Sequence, residues 1–201
     1  VLTTSVLLEW ARKNKIKRLV FSSSSAVTGN GDGPTSPYGA QKLMSEIECK
    51  LYSRLYDLDT VCLRYFNVYS EDQEYGGSYT TAISSWIEMI RIGEKLRLDG
   101  DGNQTRDFIH VDDIVSANIF CMNYNKKFSG ETYDIATGQC TPLNSIKNYI
   151  NETNDVEWKY EKKRIGDIAH SVPNIGKIKA LGWISKIKII EELKKCFGEK
   201  K

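Results

Sequence analysis

Two short apolar runs constrain this chain more than any other feature. They are Arg18-Leu19-Val20-Phe21 and Thr60 to Phe66. Each is too short for a typical helix and lacks the polar alternation of a half-exposed strand, so each reads as a strand buried on both faces. Between them, Ser36-Pro37 supplies an N-cap followed by proline at the first helical position. That helix runs to about 56 with Leu43, Ile47, Leu51 and Leu55 on one face, the stripe expected to cover the sheet. Strand, helix and strand form a crossover, the connection that parallel strands require. The alternation continues. Helices are expected over 2–14 and 79–92, from a cap at Asp112 or Asp113 to about 123, and over 142–150. Strands are expected over 95–98, 108–110, 132–135 and 156–160, and short helices end the chain. The fold class is therefore α/β with a parallel sheet.

Composition excludes several functions. Lys and Arg number 28 against 26 Asp and Glu, a net charge of +2. The Lys/Arg groups at 12–18 and 162–164 read as solvated faces rather than a basic stripe, so no nucleic acid is expected. No apolar run approaches the roughly 18 residues of a membrane span. The cysteines, Cys49, Cys62, Cys121, Cys140 and Cys196, are odd in number and form no Cys-x-x-Cys pair. Free thiols in a reducing, cytoplasmic setting are the expectation, with no disulfide framework and no metal site.

The chemistry centres on Tyr38-Gly39-Ala40-Gln41-Lys42. Tyr and Lys four apart share a helix face. A free phenol, with a pKa of about 10, is a poor base at neutral pH. A neighbouring ammonium and the positive end of a helix both favour the phenolate, which suits proton abstraction from an alcohol. Alone, this spacing also occurs on ordinary amphipathic helices.

Context makes it specific. Ser22 to Ser25 close the first strand, and Leu63-Arg64-Tyr65-Phe66-Asn67 closes the second. Thr105-Arg106-Asp107-Phe108-Ile109-His110-Val111-Asp112-Asp113 and Arg164-Ile165-Gly166-Asp167 follow. In this order the pieces resemble the extended short-chain dehydrogenase/reductase family, specifically its NAD-dependent nucleotide-sugar epimerases and dehydratases. The resemblance implies the C-terminal part of a Rossmann-like doubly wound parallel sheet with a smaller α/β substrate-binding domain. Residues 1–67 would be the remaining catalytic part of the Rossmann-like domain. Residues 68–201 would be mainly substrate domain, with some segments returning to the Rossmann part.

By the same resemblance, Tyr38 is the acid/base and Lys42 its ribose-binding partner. Ser24 hydrogen-bonds the substrate alcohol, with Ser25 as the rival. Ser22, Tyr38, Lys42 and Phe66 lie on NAD. Asn67, Arg106, Arg164 and Asp167 join Ser24 in binding the nucleotide sugar, the two arginines as diphosphate anchors. Phe66 as a buried strand residue, or either arginine as a surface ion pair with Asp107 or Asp167, is the simpler alternative. Thr28 departs from the family's usual Tyr, and Asp99 stands where relatives often place an aromatic near the base. Ser25-Ala26 occupies the place of the Asp-Glu pair of dehydratases, which favours 4-epimerisation through a 4-keto sugar. The resemblance also implies a homodimer through the helices at 2–14 and 37–56.

Three motifs are set aside. Gly29-x-Gly31-x-Gly33 has the wrong spacing for a dinucleotide fingerprint. Asp99-Gly100-Asp101-Gly102-Asn103 resembles a calcium loop but has Gln104 at the sharp-turn position, and it reads as a hairpin turn. His110 with Asp112 and Asp113 reads as a helix cap. The family's Gly-x-x-Gly-x-x-Gly turn is absent. The expectation is a fragment lacking roughly 90 residues, at about 30 per strand–helix–strand unit with overlap. A non-catalytic chain that binds nucleotide sugar or a partner subunit is the alternative function.

Overall fold

The two apolar runs are adjacent parallel strands. In the computed structural model, which describes residues 1–73, 81–163 and 169–198, β1 (Arg18–Ser24) pairs with β2 (Asp59–Tyr65), placing Val20 opposite Val61 and Ser24 opposite Tyr65. A further strand, Glu131–Ile135, pairs in parallel on the other side of β2. These strands belong to one of two compact units, made of Val1–Phe66, Ile114–Ala136 and Pro173–Ile184. The first strand was expected to stop at its serines and instead runs through them to Ser24. Ladder partners on β2 satisfy the serine backbone, so polar side chains do not end it.

Two helices pack side by side in this unit, α1 (Leu2–Lys13) and α2 (Pro37–Tyr56). Thr4 and Ser45 hydroxyls meet at 3.1 Å, and Ser5 donates to Glu48 at 2.8 Å. The inward face of α1 carries Leu8 and Ala11, and that of α2 carries Gly39, Ser45, Glu46 and Cys49. The stripe expected to cover the sheet points elsewhere: Ile47 is 53% exposed, Leu51 45% and Leu55 66%. Periodicity reveals that an apolar face exists but not what covers it. Small and polar residues let α2 lie close to the strands.

The same unit is tied by Arg18. Its guanidinium pairs with Asp59 at 2.6 Å and donates to the carbonyl oxygens of Cys121 and Tyr124 at 2.7 and 2.6 Å. It thereby satisfies the carboxyl end of the helix Val111–Asn123.

The second unit comprises Asn67–Asp113, Thr137–Val172 and residues from Ser185 on. Here β3 (Asn67–Tyr69) pairs in parallel with β5 (Thr105–His110), which pairs antiparallel with β7 (Cys140–Pro142). Separately, β4 (Leu96–Asp99) pairs in parallel with β8 (Trp158–Glu161). The strand Glu131–Ile135 is thus β6. Helices α3 (Ala82–Ile92), α5 (Leu143–Thr153) and α7 (Ile189–Phe197) enclose a core of Ile83, Trp86, Leu98, Phe108, Ile146 and Leu193. The start expected for α3 at Tyr79 lies outside the described residues; Thr81 caps the helix.

The turn at Asp99–Asn103 is not a hairpin, because β4 and β5 belong to different sheets. It docks on the start of α5 instead, with the Asn144 amide donating to the Gly102 carbonyl. Neither Asp112 nor Asp113 caps the helix Val111–Asn123, α4, since both lie within its first turn. The Asp112 backbone amide donates to His110 Nδ1 at 3.2 Å, so the histidine takes the capping role. Asp113 is buried and accepts from the backbone amides of Lys186 and Ile187.

All five cysteines are free thiols. Among the described residues no helix is long and apolar enough to cross a membrane.

Candidate active site

The amino end of α2 is built by its own sequence. Ser36 Oγ accepts the Gly39 amide at 3.1 Å, and Pro37 occupies the first turn without needing a donor. Tyr38 follows in that turn, partly exposed. Lys42 lies one turn later and donates to the Ser22 carbonyl oxygen at 2.7 Å. Its ammonium sits 5.1 Å from the centroid of the Phe21 ring and 5.8 Å from that of Tyr38. Burial pushes the Lys42 pKa down, because the charged form loses hydration. The result is a half-buried ammonium between two aromatic rings at the carboxyl end of β1, where ligands of parallel α/β sheets bind.

The serines at the end of β1 do different work. Ser22 Oγ lies 3.0 Å from the Tyr65 hydroxyl. Ser23 is buried and donates to Glu46 Oε1 at 2.5 Å. Ser24 Oγ accepts the Ala26 amide at 3.2 Å and caps a single 3-10 turn, Ser25–Val27. A hydroxyl that already accepts from the backbone keeps its own proton for donation.

Two features here were missed in the sequence. Glu46 receives both arms of the Arg64 guanidinium, at 2.9 and 2.6 Å, which fastens α2 to β2 one turn after Lys42. Gly39 is the other: a Cβ there would lie 2.4 Å from the Ala26 carbonyl oxygen. Only glycine lets the Tyr38 turn approach the turn that follows Ser24 this closely. A glycine beside the tyrosine at a helix start was the available signal.

Phe66, also in this unit, is buried, and its amide donates to the Ile135 carbonyl at 3.2 Å. The Gly29, Gly31 and Gly33 loop has positive φ at all three glycines and ends at Pro34 rather than at a helix start.

In the second unit, Asn67 Nδ2 donates to the Asp107 carbonyl at 3.0 Å, and Arg106 Nη1 donates to the Thr105 carbonyl at 2.8 Å. These bonds hold both side chains at the β3–β5 pair. The Asp107 carboxylate is fully buried and accepts from the Thr137 amide and hydroxyl and the Gly138 amide. Desolvation nevertheless pushes its pKa up. Arg164 and Asp167 lie outside the described residues.

The chain is similar to known proteins over nearly its whole length. The model of the NAD dependent epimerase/dehydratase family matches residues 1–136. A putative UDP-glucose 4-epimerase of Methanocaldococcus jannaschii is 35% identical over 208 residues, covering 97% of this chain and 67% of the relative. A UDP-N-acetylglucosamine 4-epimerase from Methanobrevibacter ruminantium, solved with UDP-N-acetylmuramic acid, superposes with a TM-score of 0.89 at 32% identity, covering 98% of this chain and 67% of that one. A UDP-glucuronic acid 4-epimerase from Bacillus cereus, solved with UDP-glucuronic acid and NAD, gives 0.86 at 26% identity over 96% and 64%. The chain spans about two thirds of the length of these relatives. By sequence and by Rossmann-like architecture alike, the chain belongs to the NAD dependent epimerase/dehydratase family.

Proposed function

We propose that this chain carries the acid/base centre and the diphosphate-binding residues of an NAD-dependent nucleotide-sugar 4-epimerase. The observation that carries the reading is the half-buried Lys42 ammonium, one helical turn after Tyr38 and anchored to the end of β1.

The residues present fit the nicotinamide–ribose end of NAD. Lys42 uses one of its three donors on Ser22, and a half-buried ammonium calls for further acceptors, which a ribose diol supplies. Lys42 and Tyr38 would hold that ribose, with Ser22 and Phe66 beside the nicotinamide. No glycine turn for the pyrophosphate occurs in these 201 residues. NAD, when bound, supplies the oxidation and re-reduction at the sugar C4.

Tyr38 takes the proton of the 4-hydroxyl and returns it to the oxygen of the inverted product. Lys42 offers a positive charge to the phenolate that exists before the abstraction and again after the return. Ser24 donates to the same sugar oxygen and orients it. Asn67, Arg106 and Arg164 hold the nucleotide diphosphate while the sugar turns over, and Asp167 holds the ribose of the nucleotide. The first unit is then the catalytic Rossmann-like part and the second the substrate domain.

Epimerisation is favoured over dehydration because Ser25-Ala26 replaces the acidic pair that elimination needs, and because the relatives compared are 4-epimerases. The exposed apolar stripes of α1 and α2 support a homodimer through these helices. The free thiols suit a reducing, cytoplasmic setting.

The protein expressed from its whole reading frame, incubated with NAD and UDP-glucose, tests the activity. The C4 epimer is the expected product. A 4-keto-6-deoxy sugar would make the protein a dehydratase, and binding without turnover would favour the non-catalytic reading.

A further inference from the structure

We propose that the second unit holds a divalent-metal site of the Zn2+ type, built by Glu71, His110 and Glu192. The three side chains come from distant parts of the chain. Glu71 follows β3, His110 ends β5 and Glu192 sits on α7. Each offers one ligand atom, and these atoms lie within 4.8 Å of one another. His110 Nε2 and Glu71 Oε2 are already 3.2 Å apart. Tetrahedral ligands at Zn–N and Zn–O bond lengths stand roughly 3.4 Å apart, so small side-chain rotations close the set. One imidazole and two carboxylates suit a transition ion better than Mg2+, which prefers oxygen and retained water.

A second observation points to a ligand. Glu192 is only 7% exposed, and although Oε1 pairs with Lys195 at 2.9 Å, Oε2 is buried with no hydrogen-bond partner among the described residues. An unsatisfied buried carboxylate oxygen is costly, and a bound cation removes that cost. Glu71, Glu192 and Asp112 set three carboxylates around the imidazole against the Lys195 ammonium. Tyr69 walls the cluster, its ring edge-on to His110 at 5.3 Å.

His110 Nδ1 accepts the Asp112 amide, which leaves Nε2, facing Glu71, as the ligand atom. A metal there would staple three segments of one unit.

Chelator-treated protein titrated with Zn2+ against a chromophoric competitor tests the site. One equivalent should bind with low-micromolar or tighter affinity and raise the unfolding temperature, with Mg2+ failing to compete. Glu71→Gln and Glu192→Gln should each weaken binding at least about tenfold. Glu71 is partly exposed, so its variant keeps the fold even if the Glu192 variant does not. Cys140→Ser and His170→Gln, which remove the exposed thiol and the other histidine, should leave affinity unchanged. Absence of one-equivalent binding, or affinity that survives Glu71→Gln, overturns the proposal.

Discussion

Lys42 holds its ammonium 5.8 Å from the centroid of the Tyr38 ring while its Nζ donates to the backbone at the end of β1. Burial penalises the charged form, so Lys42 should titrate below the other lysines in a pH series followed by NMR of its side chain. The folded chain binds this proton less tightly than the unfolded one. The Lys42 contribution to stability therefore rises as pH climbs through the lowered folded value toward the ordinary lysine range. A Lys42 signal that titrates with the exposed lysines would show the ammonium to be fully hydrated.

Glu46, one turn after this lysine, forms a two-armed ion pair with Arg64 and also accepts from Ser23. Removing one member of a buried pair strands the other. Glu46→Ala should cost about 3–5 kcal/mol in urea unfolding. A loss below about 1 kcal/mol, the scale of an exposed pair, would mean that Arg64 finds water instead.

Arg106 is proposed as a diphosphate anchor. Arg106→Ala should weaken nucleotide-sugar binding by roughly 1.5–3 kcal/mol, the range of charged hydrogen bonds, measured by calorimetry. Free hexose should bind equally to both proteins. Equal losses with and without the diphosphate would remove the anchor role.

The exposed apolar residues of α1 and α2 predict self-association. Leu2 is 80% exposed, Val6 62% and Trp10 55%, and Ile47, Leu51 and Leu55 add to them on the neighbouring helix. Light scattering on the protein from its whole reading frame should show a dimer, and Leu51→Glu should make it monomeric. A wild-type monomer at high concentration, or a dimer indifferent to that charge, would rule out this face.

What could be read without coordinates was local. Ser36-Pro37 marks the start of α2 because capping is decided within four residues, and the same short range brings Tyr38 and Lys42 together. Long-range partners were hidden. Ser22 to Ser24 look like the end of a strand, yet β2 extends the ladder across them. Glu46 meets a strand residue 18 positions away, a pairing that no periodicity encodes. The α2 stripe was visible as a pattern, but its direction depends on how closely Gly39, Ser45 and Cys49 allow the helix to approach the sheet. His110 had the same ambiguity, because its partner Glu71 lies 39 residues earlier.

The central claim is that Tyr38 moves the proton while the C4 hydrogen of the sugar leaves and returns without exchanging with water. The most direct measurement is turnover of a UDP-hexose in deuterated water by the wild-type protein and Tyr38→Phe, followed by NMR. The wild-type protein should give the C4 epimer with no solvent deuterium at C4. The variant should lose turnover roughly 10²–10⁴-fold with nucleotide-sugar affinity little changed, the scale of general acid–base catalysis. Deuterium at C4, or a Tyr38→Phe protein that turns over at the wild-type rate, would contradict it.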